Sequence, residues 1–337
     1  MTQAENMSAL AEQRVFKGLS QRELIQHGLA PMYAWLGANG RHGRESAVND
    51  LKNEMKQSIM WWELQWREIC DLRDKCSEAG IPIAFLKGTD LNLRCYPVVG
   101  IRPMVDIDVL VRGNQQGRMV ELLRESGYHS LDHEDDPRVS TAFETRWSRR
   151  EGMMIEVHTC PDWSEAIGVE TGQLLDRRVF LQPGETPVLD GPDLLLNLAT
   201  HAMRDMHAAW RKSALDAYFV ITSLNMSWDD VLARAAGWEA RAALYVLLAR
   251  SRDHVGTPVP GAVLDELSAG LVPDLLARWL SKHVDPPVAL KRDWLERLVR
   301  LAMVESFPRR LKFAGRYAGL RLTDWLRSLS VARLSRH

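Results

Sequence analysis

The stretch Arg102-Pro103-Met104-Val105-Asp106-Ile107-Asp108-Val109-Leu110-Val111 decides the reading of this chain. After Pro103 it alternates at its start and is rich in β-branched residues, which predicts a strand over 105–111. Side chains alternate across a strand, so Asp106 and Asp108 project from one face while Ile107 and Val109 enter the core. Two carboxylates about 7 Å apart on one strand face repel unless something neutralises them. A divalent cation does so, and magnesium accepts carboxylate oxygens while keeping positions for phosphate and water.

Working outward, the Asp pair needs a third acid on a neighbouring strand. Glu156 in Met154-Ile155-Glu156-Val157-His158 is a lone acid among apolar residues. It reads either as that third ligand or as an exposed residue on an alternating edge strand. Upstream, the apolar run Ile81–Leu86 has the length and flanks of a buried strand and ends in Lys87-Gly88-Thr89. A small-residue turn of this kind lets backbone amides approach phosphate oxygens. Gly88 permits the close approach, Thr89 offers a hydroxyl and Lys87 a charge. The Asp pair follows seventeen residues after Thr89, and the two features strengthen each other.

The flanks read as helical. Ser20 with Glu23 forms a capping-box start. A long helix is predicted from about Val48 to Ala79, closed by Gly80 and Pro82. A short helix over Asp90–Tyr96 follows, and Asn114 is expected to cap another that runs to about Ser126, stopped by Gly127. Phe143–Arg150 and Met153–Thr159 read as two strands around a turn at Glu151-Gly152. Asp193–His207, Lys212–Leu224, Trp228–His254 and Leu264–His283 read as amphipathic helices. The expected layout is an α+β chain: a helical region over 1–79, an α/β core over 80–190 and a helical domain over 191–337.

Bulk properties bound the function. The chain has 337 residues, 46% hydrophobic and 26% charged, with a formal net charge of −1. Those values suit a globular protein and argue against nucleic-acid binding by bulk charge alone. No signal peptide is evident over Met1–Arg14, and no apolar run approaches the ~20 residues of a membrane span. A cytoplasmic location is the expectation. Cys70, Cys76, Cys95 and Cys160 match no zinc spacing and read as free packing residues. Trp61, Trp62 and Trp66 read as a buried aromatic seam, and Asp132–Asp136 as a solvated loop. His201, Arg204, Asp205 and His207 fall on one predicted helix, either lining a cleft or satisfied locally at a helix end. The tail Phe307–His337 is basic and amphipathic. It suits peripheral contact with an anionic membrane, a nucleic acid or a partner, or else packing on the body with solvated arginines.

Phe85-Leu86-Lys87-Gly88-Thr89-Asp90-Leu91, Tyr96-Pro97, the Asp106–Val111 strand and Ile155-Glu156-Val157-His158 together resemble an uncharacterised bacterial nucleotidyltransferase family of the DNA polymerase β superfamily. The resemblance spans residues 80 to about 225. It implies a minimal nucleotidyltransferase fold, a mixed sheet flanked by helices, with two magnesium ions (manganese as an alternative) and a nucleoside triphosphate as substrate. It implies that Gly88 and Thr89 form the phosphate turn, that Asp106, Asp108 and Glu156 hold metal, and that Lys87 and Arg102 contact the triphosphate. His158, His201 and Asp216 match further positions around the cleft. The expected activity is transfer of a nucleoside monophosphate to a small-molecule, peptide or protein acceptor, with release of pyrophosphate. The rivals are a toxin-like enzyme acting on tRNA or protein, and a catalytically inactive scaffold that binds nucleotide or a partner.

Overall fold

A computed structural model describes residues 15–38, 45–132, 143–150, 152–161, 167–182, 184–204, 210–268, 275, 301, 303–312 and 314–315. It opens with α1 (Gln21–Gln26), α2 (Ala30–Ala38) and the long α3 (Glu45–Glu78). The α1 start is the expected capping box: Ser20 Oγ accepts from the Glu23 amide, and the Glu23 carboxylate accepts from the Ser20 amide at 2.8 Å. Next come β1 (Ile83–Phe85), α4 (Gly88–Arg94), β2 (Asp106–Val111), α5 (Gln116–Glu125), β3 (His129–Ser130), β4 (Glu144–Ser148) and β5 (Met154–His158). Then follow α6 (Thr171–Arg177), β6 (Val179–Leu181) and β7 (Thr186–Val188). The helices α7 (Gly191–Arg204), α8 (Trp210–Ser223), α9 (Trp228–Gly237), α10 (Arg241–Val255) and α11 (Gly261–Leu267) complete the described elements.

The strands form one mixed sheet in the order β3-β4-β5-β2-β1-β7-β6. β2 runs parallel to β5 and antiparallel to β1, and β4–β5 is the expected antiparallel hairpin. Alternation separates two cores. Ile83, Phe85, Ile107, Val109, Val111, Ile155 and Val157 pack against Trp62, Ile69 and Leu72 of α3 and Met119 and Leu123 of α5. On the other face Ala84, Leu86 and Leu110 join a larger core with α1, α2, α4 and the helices from α6 onward. The Asp pair lies on this second face, between the sheet and the helical half.

Several expectations are corrected. Asn114 caps no helix; a short 3-10 turn over Gly113–Gln115 precedes α5, whose N-cap is Gln115. The segment Trp228–His254 is two helices, because Glu239 adopts φ +55° between them and the chain turns. Trp62 is buried and stacks on Trp66 at 5.9 Å, but Trp61, one residue round the helix, is 56% exposed. Of the acidic run 132–136 only Asp132 is described, in a bend with its carboxylate 2.9 Å from the Arg146 guanidinium; residues 133–136 lie outside the described residues. The predicted Leu264–His283 helix begins earlier, at Gly261, and its remainder beyond 268 falls almost wholly outside them. So do Asp205, His207 and the tail over 316–337. The strands β6 and β7, with α6, occupy a segment for which the sequence pattern predicts no element. Cys70, Cys76, Cys95 and Cys160 are not joined in disulfides.

Candidate active site

The phosphate-turn candidate is built by a break in strand geometry. The Leu86 amide still donates to the Asp108 carbonyl at 3.0 Å, in the β1–β2 ladder. Lys87 then takes φ +45° and ψ −108°, a conformation rare for a side-chain-bearing residue. Its ammonium lies 3.0 Å from Asp108 Oδ1, and both groups are buried. Gly88 follows, where a side chain would have to displace Met104 and Arg102. A Cβ would stand 2.6 Å from Met104 Cγ and 2.8 Å from Arg102 Nη1. Thr89 is fully buried, and its Oγ1 has no hydrogen-bond partner among the described residues.

Asn92, which sequence reasoning passed over, ties this turn to the loop before β2. Its Nδ2 donates to the carbonyls of Gly88 (3.0 Å) and Arg102 (2.9 Å). Its Oδ1 accepts from the amides of Gly100 (3.0 Å) and Arg102 (3.3 Å). From the far face, Gln65 of α3 donates to the Met104 carbonyl at 2.9 Å. A polar side chain between Leu91 and Leu93 was the available signal for Asn92.

The acids meet through the parallel pairing of β2 and β5. Asp108 is the register partner of Glu156, Asp106 of Met154 and Leu110 of His158. Ligating atoms of Asp108, Glu156 and His158, all buried, lie within 4.8 Å of one another. His158 Nε2 is 2.8 Å from Asp108 Oδ1 and 3.8 Å from Glu156 Oε2, and its Nδ1 is 3.8 Å from Glu144 Oε2. Asp106 stands one pleat earlier, partly buried and outside this group of three. Burial, and then the neighbouring Asp108 charge, push the Asp106 carboxyl above its ordinary range. Burial, then Glu144 and Asp108, push Glu156 up to about 7. The face is therefore short of positive charge in the way a cation would correct.

A second buried group joins the loop before β2 to the helical half. Arg102 grips Asp216 of α8 through Nε (2.8 Å) and Nη2 (2.9 Å), and Tyr96 Oη donates to Asp216 at 2.6 Å. Burial alone would raise the Asp216 carboxyl, but the Arg102 guanidinium holds it below its ordinary range. Arg102 Nη1 is left beside Gly88. Lys212, one turn before Asp216, donates to the Pro103 carbonyl at 2.9 Å. Burial, then Arg102, lower its ammonium to about 8, with Asp106 and Asp108 acting in the opposite sense. Lys212 and Glu144 carry no local sequence signal; each acquires its place through packing. His201 sits partly buried on α7, outside the Asp108–Glu156–His158 group.

The structure thus brings acids from adjacent strands of a mixed sheet together beside a glycine turn. Residues 21–256 match the model of a family described as uncharacterised nucleotidyltransferase, and the chain belongs to that family. It is a nucleotidyltransferase by that membership. No curated protein matches the chain. Among solved structures it is similar to ANT(2″)-Ia in complex with adenylyl-2″-tobramycin, at 14% identity and a TM-score of 0.38, over 51% of this chain and 96% of that one.

Proposed function

We propose that this chain is a magnesium-dependent enzyme that transfers a nucleoside monophosphate from a triphosphate to a small-molecule, peptide or protein acceptor. An acceptor nucleophile attacks the α-phosphorus, the bond to the bridging oxygen of the β-phosphate breaks, and pyrophosphate leaves. The observation that carries this reading is the meeting of Asp108 and Glu156 on paired strands beside the Lys87-Gly88-Thr89 turn.

The residues fit a divalent cation. Carboxylates converge on one face, Asp106 and Glu156 with raised proton affinity, and an ammonium already lies against Asp108. Asp106, Asp108 and Glu156 would hold the metal, which when bound supplies Lewis-acid polarisation of the phosphates and of the attacking group. The chain's own contributions are positional and electrostatic. Gly88 leaves room for phosphate oxygens at the turn, and Thr89 offers a buried hydroxyl. Arg102, pre-oriented by Asp216 and Tyr96, presents Nη1 to the same place, and Lys87 adds a positive charge. Packing of the helical half on the sheet excludes water from the inner side of the cluster. Among the described residues no helix is long and apolar enough to cross a membrane. Cysteines not joined in disulfides fit a reducing compartment, and the cytoplasm is the proposed location.

The test is incubation of the protein with magnesium, each α-labelled triphosphate and cell extract. A labelled product that the wild type forms and Asp108→Ala does not is the expected result. Absence of triphosphate binding, or binding unchanged in the Asp106→Ala/Asp108→Ala double variant, overturns the reading.

A further inference from the structure

His158 is placed as a ligand is placed. Its side chain is 2% exposed, and Nε2 faces both Asp108 Oδ1 at 2.8 Å and Glu156 Oε2 at 3.8 Å. Two donors on one octahedral ion stand about 3 Å apart when adjacent and about 4.2 Å when opposite, for metal–donor distances of about 2.1 Å. The two separations from Nε2 lie close to that span. Behind the ring, Glu144 Oε2 lies 3.8 Å from Nδ1. A carboxylate behind one imidazole nitrogen fixes the ring's orientation and raises the basicity of the other nitrogen, the arrangement that supports histidine–metal bonds. Glu144 and His158 are register partners on β4 and β5, so the backbone itself sets this alignment. Asp106 belongs to the same strand face but not to the same cluster.

We infer that the two cation positions of this site are chemically unequal. One draws on the oxygens of Asp106 and Asp108 alone. The other combines Asp108 and Glu156 with His158 Nε2, and so favours manganese over magnesium. The inference rests on the reading that these acids hold divalent cations. Magnesium is a hard ion that prefers oxygen, whereas an imidazole nitrogen favours first-row transition ions. Binding through Nε2 requires the ring tautomer with its proton on Nδ1, the nitrogen that faces Glu144, so that the Nε2 lone pair is open to the cation. Glu144 then acts as a positioning residue, holding the ring from the other side.

The experiment uses the full chain without nucleotide and Mn2+ as the probe. Pulsed electron paramagnetic resonance of bound Mn2+ should show echo modulation from a directly bonded nitrogen. That modulation should change to the 15N pattern when the protein is labelled with 15N-histidine. In His158→Gln it should vanish, with Mn2+ affinity falling by about tenfold or more and Mg2+ affinity by roughly threefold at most. The labelled wild type decides the question even if the variant folds poorly. Bound Mn2+ with no nitrogen modulation, or modulation indifferent to histidine labelling, overturns the inference and leaves the cation site standing. Failure of both Mn2+ and Mg2+ to bind overturns the inference together with the reading beneath it.

Discussion

The two faces of β2 and β5 are made by the same eleven residues and do opposite things. On one, Ile107, Val109, Ile155 and Val157 are at most 1% exposed and pack against α3 and α5. On the other, burial and then the crowding of neighbouring carboxylates raise the proton affinity of Asp106 and Glu156, with His158 beside Glu156 acting in the opposite sense. The apolar face stabilises the fold through burial. The polar face works against it, and is tolerated because both strands are held by the apolar side and by their ladder. A site that needs strongly interacting carboxylates is thus seated on the best-anchored strands of the sheet.

The contrast can be broken by exchanging outcomes between the faces. The largest effect is expected for Asp108→Asn, which keeps shape and removes a cation-binding charge. Nucleotidyl transfer should fall by about 10⁴-fold, equivalent to ~5.4 kcal/mol of transition-state stabilisation, in steady-state assays with labelled triphosphate. A variant retaining a tenth of wild-type activity would remove Asp108 from the chemistry. Ile107→Ala, its neighbour on the opposite face, should cost roughly 3 kcal/mol of stability in denaturant melts while the folded fraction keeps its turnover. Turnover lost in proportion to that of Asp108→Asn would show that the faces are not separable.

Asp216→Asn sharpens the comparison from outside the sheet. It leaves Arg102 in place but loosens its bidentate hold, so KM for triphosphate should rise about tenfold, ~1.4 kcal/mol, with kcat changing less. An equal fall in kcat alone would assign Arg102 to a different step.

The smallest effect is a pH dependence. Glu156 is raised from its ordinary value to about 7 in the folded protein. A carboxyl raised on folding contributes stability that is complete below its unfolded value and is lost as pH rises through the folded one. The metal-free protein should therefore lose a few degrees of Tm between about pH 4.5 and 7. Magnesium, which requires the ionised carboxylate, should raise Tm more at pH 8 than at pH 5.5. Glu156→Gln should flatten both trends in calorimetric scans, and trends unchanged in that variant would place their origin elsewhere.

Much of this was legible along the chain. The strand over 106–111, the capping box at Ser20, the long α3 and the β4–β5 hairpin each follow from local pattern, because alternation, capping and turn chemistry act over a few residues. The hairpin β6–β7 escaped because its strands are three residues long and one contains Pro187. The turn between α9 and α10 escaped because Glu239 takes a left-handed conformation that its side chain does not announce.

By itself the sequence determined that Asp106 and Asp108 share a face, that Ile107 and Val109 oppose them, and that a glycine turn ends the preceding strand. Which groups meet that face was decided only by tertiary structure. Parallel pairing puts Glu156 opposite Asp108 and Met154 opposite Asp106, and brings His158 to both Asp108 and Glu156. The left-handed Lys87 swings its ammonium onto Asp108, and Asp216 and Tyr96 hold Arg102 across the domain core. The reason is range. Side-chain alternation is fixed by the backbone within a few residues, whereas strand register and ion pairing depend on how the chain closes over tens to a hundred residues.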